Sequence, residues 1–134
     1  MMDKYRNMIV LDFDGVLHSY TSGWQGADLI PDPPVAGAMK WIRQISKETD
    51  YEMGIYSARS STDGGSEAIK DWLFGKLLTV CWSDDEAIEI ADSIQILHEK
   101  PPQGFIFIDD RGFHFEGKFP TIKFLDTFKP WNKK

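Results

Sequence analysis

The stretch MIVLDFDG at residues 8–15 decides the fold class of the chain. Its first four residues are apolar without interruption, which is typical of a strand that is buried on both faces in a parallel sheet. In an extended chain, alternate side chains point the same way, so the carboxylates of Asp12 and Asp14 share one side. A second interpretation stays open, because Asp14 and Gly15 between two apolar runs also form a hairpin signal.

Strand and helix patterns alternate along the rest of the chain. Further strands are predicted at residues 51–56, 94–97, 105–108 and 121–125. This alternation predicts an α/β fold with a mostly parallel sheet and helices on both faces, a three-layer α/β/α Rossmann-like sandwich. The segment from Leu17 to Ile30 is predicted to form a small flap, and the spacing leaves no room for a large cap domain.

Three helices are predicted between the strands, from apolar residues spaced about 3.6 apart. The first is capped by Asp32 and has a proline in its first turn. The second centres on residues 68–77. The third starts with a capping box at residues 83–86 and is predicted to bury Ala87, Ile88 and Ala91, with Ile90 as a further candidate.

Length and composition exclude several classes of protein. The 134 residues fit a single domain spanning 1–134, and no apolar run approaches the roughly 20 residues of a membrane span. A net charge of -6 argues against a general nucleic-acid coat, which carries a basic face. The single cysteine, Cys81, and the lack of a secretory signal pattern favour a cytoplasmic protein.

Acidic and hydroxyl side chains follow three of the predicted strands. Asp12 and Asp14 follow the first, Ser57 follows the second, and Asp109 and Asp110 follow the strand at residues 105–108. Ligands of open α/β sheets bind at the carboxyl ends of the strands. We therefore expect these five side chains to meet at one edge of the sheet.

The carboxylates in this set predict metal or acid–base chemistry. Asp12 and Asp14 repel each other unless a cation lies between them or one is protonated, so they suit a magnesium site or a nucleophile paired with an acid. Asp109 and Asp110 offer the hard oxygen ligands that Mg²⁺ prefers, although a solvated turn is the alternative. Gly15 permits a backbone curl around an anion.

Other residues nearby are candidates for binding phosphate. The hydroxyl of Ser57 and the amides of Ala58 and Arg59 can donate to phosphate oxygens, and the Arg59 side chain can bind phosphate or pair with a carboxylate. Lys100, stiffened by the prolines that follow it, can neutralise charge on a phosphoryl group. Alternatively, Ser57 begins a turn, and Arg59 and Lys100 are solvated surface residues.

The order of these motifs resembles that of the haloacid dehalogenase-like (HAD) superfamily of phosphohydrolases. The four motifs are residues 12–16 (DFDGV), Ser57, Lys100 and the pair at 109–110. The resemblance spans about residues 8–125. Residues 99–102, 108–111 and 128–132 also look like short phage and bacterial members of this superfamily.

The resemblance implies a role for each motif residue. Asp12 would be the nucleophile, and Asp14 the acid that protonates the leaving oxygen and then activates water. Ser57 would bind a phosphate oxygen, and Lys100 would hold the charges of nucleophile and phosphate together. Asp109 would bind Mg²⁺ with Asp12 and the backbone carbonyl of Asp14, and Asp110 would assist directly or through water.

The predicted function is therefore a Mg²⁺-dependent phosphatase with an aspartyl-phosphate intermediate. Its substrate would be a phosphorylated small molecule or a nucleic-acid end, with no membrane partner. The open site and the flap aromatics His18, Tyr20 and Trp24 suggest nucleotides, although these rings can instead pin the flap to the body. The alternative function is a non-catalytic, phospho-receiver-like regulatory module with the same acidic pocket. The oligomeric state is left open.

Overall fold

The computed structural model describes residues 7–131, so the ends of the predicted domain, 1–6 and 132–134, lie outside the described residues. Its centre is a sheet of four parallel strands in the order β3-β2-β1-β4. The strands are β1 (Met8–Leu11), β2 (Glu52–Tyr56), β3 (Gln95–Leu97) and β4 (Ile106–Ile108). The α/β class and these four predicted strands are confirmed.

Within residues 7–131, four α-helices connect or follow the strands: α1 (Ala38–Glu48), α2 (Gly65–Leu77), α3 (Asp84–Ser93) and α4 (Ile122–Thr127), and a short 3₁₀ helix covers Ala58–Ser61. One face of the sheet packs against the first three of them. The core on this face joins strand residues such as Leu11 and Ile55 to Ile42 of α1, Leu73 of α2 and Ile90 of α3. None of the helices within residues 7–131 has the length and apolar character needed to cross a membrane.

The opposite face of the sheet lacks the helical layer that the sequence predicts. Its buried cluster consists of Met8, Val10 and Leu97, with Tyr56 and Phe107 packed against it, and none of the described helices contributes to it. The chain crosses from β3 to β4 in residues 98–105. A helical crossover needs a dozen residues or more, so a loop makes this connection instead. Within residues 7–131 the helical layer predicted for this face is therefore not confirmed.

The segment at residues 121–125 is also predicted wrongly. It forms the start of α4 instead of a fifth strand. The side chain of Thr121 accepts a hydrogen bond from the Phe124 amide at 3.1 Å, which caps the helix. None of the residues of α4 is buried. The alternating pattern of this segment resembles a strand, but a local cap decides its conformation.

The predicted start of the first helix is wrong for a different reason. Asp32 accepts hydrogen bonds from the amide (2.8 Å) and hydroxyl (2.6 Å) of Ser22, so it ties down the flap instead of capping α1. The helix begins after Gly37, whose φ of 83° lies in the left-handed region. In α3, Ser83 caps the helix as predicted. Of the residues predicted to be buried, Ile88 is exposed, whereas the further candidate Ile90 is buried.

Two glycines of α2 give a matched test of how closely the start of this helix packs against the backbone of Arg59. A Cβ at Gly65 would overlap the backbone carbonyl of Arg59, whereas nothing lies within 4 Å of a Cβ at Gly75. We expect Gly65→Ala to lower the free energy of unfolding by about 2 kcal/mol or more, because backbone must shift. Gly75→Ala should raise it by about 0.5–1 kcal/mol. Urea unfolding measures both, and equal stability of the two variants would contradict this packing.

Candidate active site at the carboxyl edge of the sheet

The structure brings most of the predicted site residues to one edge of the sheet. The Asp12 amide donates to the Ile108 carbonyl at 2.9 Å, which extends the pairing of β1 with β4 to the first carboxylate. Asp12 and Ser57 line two adjoining clefts. Lys100 and Asp109 line the first, of about 360 Å³. Asp14, Asp110, Tyr20 and Trp24 line the second, of about 240 Å³.

Asp12 is the most perturbed carboxyl group of this edge. Burial above all, with the neighbouring carboxylates of Asp110 and Asp14, raises its pKa to about 7, against the opposing effect of the Phe13 amide. That amide donates to Asp12 Oδ1 at 2.8 Å. The site therefore holds more negative charge than its surroundings stabilise.

The two carboxylates after β4 have different surroundings. Asp109 Oδ1 accepts hydrogen bonds from the amides of Arg111 (2.9 Å) and Gly112, so this side chain holds the loop. Asp110 lies beside Asp12, and its Oδ1 is buried without a hydrogen-bond partner among the described residues. The resemblance gives Asp109 the direct metal contact, whereas the structure leaves Asp110 the less satisfied carboxylate.

Asp14 is fixed by two buried side chains. Both of its oxygens accept from Arg59 Nε, at 3.0 and 2.9 Å. Its Oδ1 also lies 2.8 Å from His18 Nδ1. Because His18 Nε2 accepts from the Asp32 amide at 3.1 Å, Nδ1 carries the ring proton and donates to Asp14. This chain of contacts ties the carboxylate to the base of the flap.

Arg59 lies away from both clefts. It is fully buried, and its Nη1 donates to three flap carbonyls, those of Gly26 (2.7 Å), Ala27 (3.1 Å) and Leu29 (2.9 Å). Of the interpretations that the sequence allowed for Arg59, pairing with a carboxylate is the one found. The solvated interpretation is wrong, because the side chain has no contact with solvent. Arg59 is not among the residues that line either cleft.

Gly15 is likewise occupied inside the flap turn. Its φ is 87°, its amide donates to the His18 carbonyl at 2.8 Å, and its carbonyl accepts from Trp131 Nε1 at 2.8 Å. The Gly15 amide is therefore already used within the turn. The structure leaves Gly15 a role in shaping the turn after Asp14.

The remaining predicted phosphate ligands line the first cleft. Ser57 Oγ accepts from the Arg59 amide at 3.1 Å, as a turn-forming serine does, and Ser57 lines the cleft beside exposed Ala58. Lys100 places its Nζ 4.7 Å from the centre of the Phe107 ring, at the cleft wall. Both side chains stay available to an anion bound next to Asp12.

Sequence reasoning gave no role to Arg111, which lines both clefts. It is exposed and lies close enough to the Tyr20 hydroxyl to lower the pKa of that group, against a larger raising effect of burial. Its position directly after the aspartate pair was the signal that marks it. Arg111 is the guanidinium that stands at the clefts, in the place predicted for Arg59.

The flap aromatics divide between the two predicted uses. His18 is buried, stacks on Phe13 with ring centres 5.6 Å apart, and meets the edge of Trp72 at 5.8 Å, so it pins the flap. Trp24 is 50% exposed and lies over the guanidinium of Arg59 at 4.8 Å. Tyr20 also faces the second cleft. Two of the three rings thus remain at the site.

No family model, curated protein or solved structure matches this chain. The motifs and the geometry of the edge are therefore the features that bear on function.

The acidic edge has the donors that Mg²⁺ requires. No group of three or more His, Cys, Asp or Glu side chains arranged to hold a metal ion occurs within residues 7–131. Mg²⁺ needs fewer, because it keeps several waters and takes one or two carboxylates together with substrate phosphate. Asp12 and Asp110 supply two carboxylates, one of them with an unsatisfied buried oxygen. This pair fits a magnesium ion.

Proposed function

We propose that this chain is a Mg²⁺-dependent phosphomonoesterase of the HAD-like type, with Asp12 as nucleophile. The observation that carries the proposal is the environment of Asp12, a partly buried carboxyl group whose pKa is raised to about 7, beside Asp110, whose Oδ1 is buried without a partner among the described residues. Such a concentration of uncompensated negative charge at a strand end is costly unless a cation joins it. Perturbed groups in clefts mark functional sites.

The proposed reaction has two displacements at phosphorus. An oxygen of Asp12 forms a bond to phosphorus while the bond to the leaving oxygen breaks and Asp14 gives that oxygen a proton. A water then gives a proton to Asp14 and attacks phosphorus, which breaks the bond to Asp12 and releases phosphate. Mg²⁺, held by Asp12 and Asp110, would supply the positive charge that lets a carboxylate approach an anionic ester.

Cationic and hydroxyl groups around the clefts suit the phosphate itself. Ser57 and Lys100 lie on the side of the first cleft, and Arg111 lies between the two clefts. Their donors can bind the phosphate oxygens as charge develops on them. A phospho-receiver is disfavoured by Asp14, because a receiver has no need for a second carboxylate two residues after an aspartate that follows its first strand.

Hydrolysis of p-nitrophenyl phosphate tests the proposal directly. The wild-type protein should release phosphate with Mg²⁺ and lose this activity in EDTA. Stable phosphorylation without phosphate release would favour the receiver, and complete inactivity with Mg²⁺ would overturn the phosphatase.

A pair of aspartate variants tests which carboxylate binds the ion. Asp110→Asn should raise the Mg²⁺ concentration for half-maximal activity by about tenfold or more, because even indirect metal partners cost that much. Asp109→Asn should change it less, since an asparagine oxygen still accepts from the amides of Arg111 and Gly112. Mg²⁺-induced gains in Tm give a readout independent of turnover. A larger loss in Asp109→Asn would place the ion on Asp109.

A further inference from the structure

The second cleft contains a surface that the proposed reaction does not use. We infer that Trp24 and Tyr20 form a stacking platform for a planar aromatic leaving group, which makes phosphate monoesters of nucleosides or of aromatic alcohols the preferred substrate class. This inference depends on the proposed function, because the proton donor defines which cleft receives the leaving group.

The position of Asp14 indicates which of the two clefts receives the leaving group. Both contain Asp12, so the phosphorus under attack lies where they join. Asp14 lines the second cleft, together with Tyr20 and Trp24. Since Asp14 gives its proton to the leaving oxygen, the rest of the leaving group must extend into this second cleft.

The surroundings of Trp24 suit its ring for stacking against a ligand. Arg59 supports the indole from below at 4.8 Å and is itself held by three carbonyls and by Asp14. Half of the Trp24 side chain remains exposed. A ring that is already fixed on a buried guanidinium loses little freedom when a ligand stacks on it. Stacking on an indole favours a flat aromatic group over an alkyl chain.

The backbone conformation of Tyr20 supports the same assignment. Its φ of 62° lies in the left-handed region, which a non-glycine residue adopts at a cost, and such strained residues cluster at active sites and ligand-binding positions. Its ring packs edge-on against His18 at 5.9 Å, so the side chain is held beside Asp14. The fold keeps a strained tyrosine where a second wall of the platform is needed.

Substrate selectivity tests the inference. The wild type should show a kcat/KM for adenosine 5′-monophosphate, phenyl phosphate or tyrosine phosphate at least about tenfold above that for glycerol phosphate. Trp24→Ala should reduce this ratio about tenfold, mainly through KM, and Trp24→Phe should keep most of it. Trp82→Ala is the matched control, because Trp82 also lies near an arginine, at 5.6 Å from Arg43, but is 88% exposed outside both clefts.

Comparing the aromatic substrates separates a nucleoside from a simple aryl group as the natural leaving group. Equal kcat/KM for glycerol phosphate in the wild type, or an unchanged ratio in Trp24→Ala, would overturn the platform while leaving the phosphatase intact. If the protein hydrolyses none of these esters with Mg²⁺, the proposed function fails. Fluorescence titration with adenosine 5′-monophosphate then decides the platform alone: quenching in the wild type and Trp82→Ala but not in Trp24→Ala supports it, and no quenching overturns it.

Discussion

Asp12→Asn will give a folded protein that has lost phosphatase activity and is more stable than the wild type at neutral pH without metal. Removing a nucleophile that forms a covalent intermediate should lower kcat by about 10⁴-fold or more. The gain in stability has a separate cause. Asparagine keeps the size and the acceptor for the Phe13 amide, but removes the buried charge that faces Asp110 and Asp14.

The pH dependence of this gain follows from the pKa of Asp12. The pKa is about 7 in the folded protein against an ordinary value of 3.8, so between these values the folded state binds more protons than the unfolded state. Wild-type stability should therefore fall as pH rises from about 4 to 7 through this group. Asp12→Asn escapes this loss, and its advantage should reach on the order of 1–3 kcal/mol near pH 7.5.

Thermal unfolding in EDTA at pH 4.5 and 7.5 checks this prediction, with Asp63→Asn, at an exposed loop position, as the control. The gap between Asp12→Asn and the wild type should be small at the lower pH and larger at the higher one. Mg²⁺ should raise the Tm of the wild type more than that of the variant, because the ion binds the folded state. A gap of the same size at both pH values would contradict the charge argument.

The sheet and its edge were predictable because they depend on short-range signals. A continuous apolar run such as residues 8–11 has few alternatives to a buried strand, and the pairing of β1 with β2 and β4 is parallel as the alternation of elements predicts. Once the strands are parallel, residues that follow them share an edge. The position of Asp12, Ser57 and Asp109 therefore needed no knowledge of side-chain contacts.

The contacts within the site depend on distant parts of the chain, and no local pattern encodes them. Arg59 next to Ser57 looks like a loop residue, yet its partners are carbonyls about thirty residues earlier, in the flap at 26–29. Asp32 has the pattern of a helix cap, but its carboxylate accepts from Ser22 and its amide donates to His18. The choice between Asp109 and Asp110 likewise depends on how one loop turns.

Arg59 contacts the flap, Asp14 and a wall of the second cleft, and so connects these three parts of the site. Its guanidinium links the carboxylate of Asp14 to three flap carbonyls and supports the ring of Trp24. The acid of the proposed reaction and the proposed stacking platform are thus held by the same side chain. Loss of Arg59 should damage fold, catalysis and substrate selection together.

Arg59→Met should cause the largest loss of stability of any single change considered, about 3–5 kcal/mol. Methionine fills similar space but donates no hydrogen bond, so Asp14 loses its charged partner and the flap carbonyls lose their donor. Urea unfolding measures the loss, which corresponds to a Tm lower by roughly 10 °C or more. Arg111→Met, at an exposed arginine, should stay within about 0.5 kcal/mol of the wild type.

The double variant Asp14→Asn with Arg59→Met separates the two parts of that loss. If the uncompensated carboxylate causes much of the damage, removing its charge should recover about 1–2 kcal/mol relative to Arg59→Met, and the two changes will not be additive. Any loss of stability that remains is due to the carbonyls of Gly26, Ala27 and Leu29, which have lost their donor. A stability of Arg59→Met within about 1 kcal/mol of the wild type would show that the flap is held by other contacts, because a buried guanidinium with these partners cannot be lost at so small a cost.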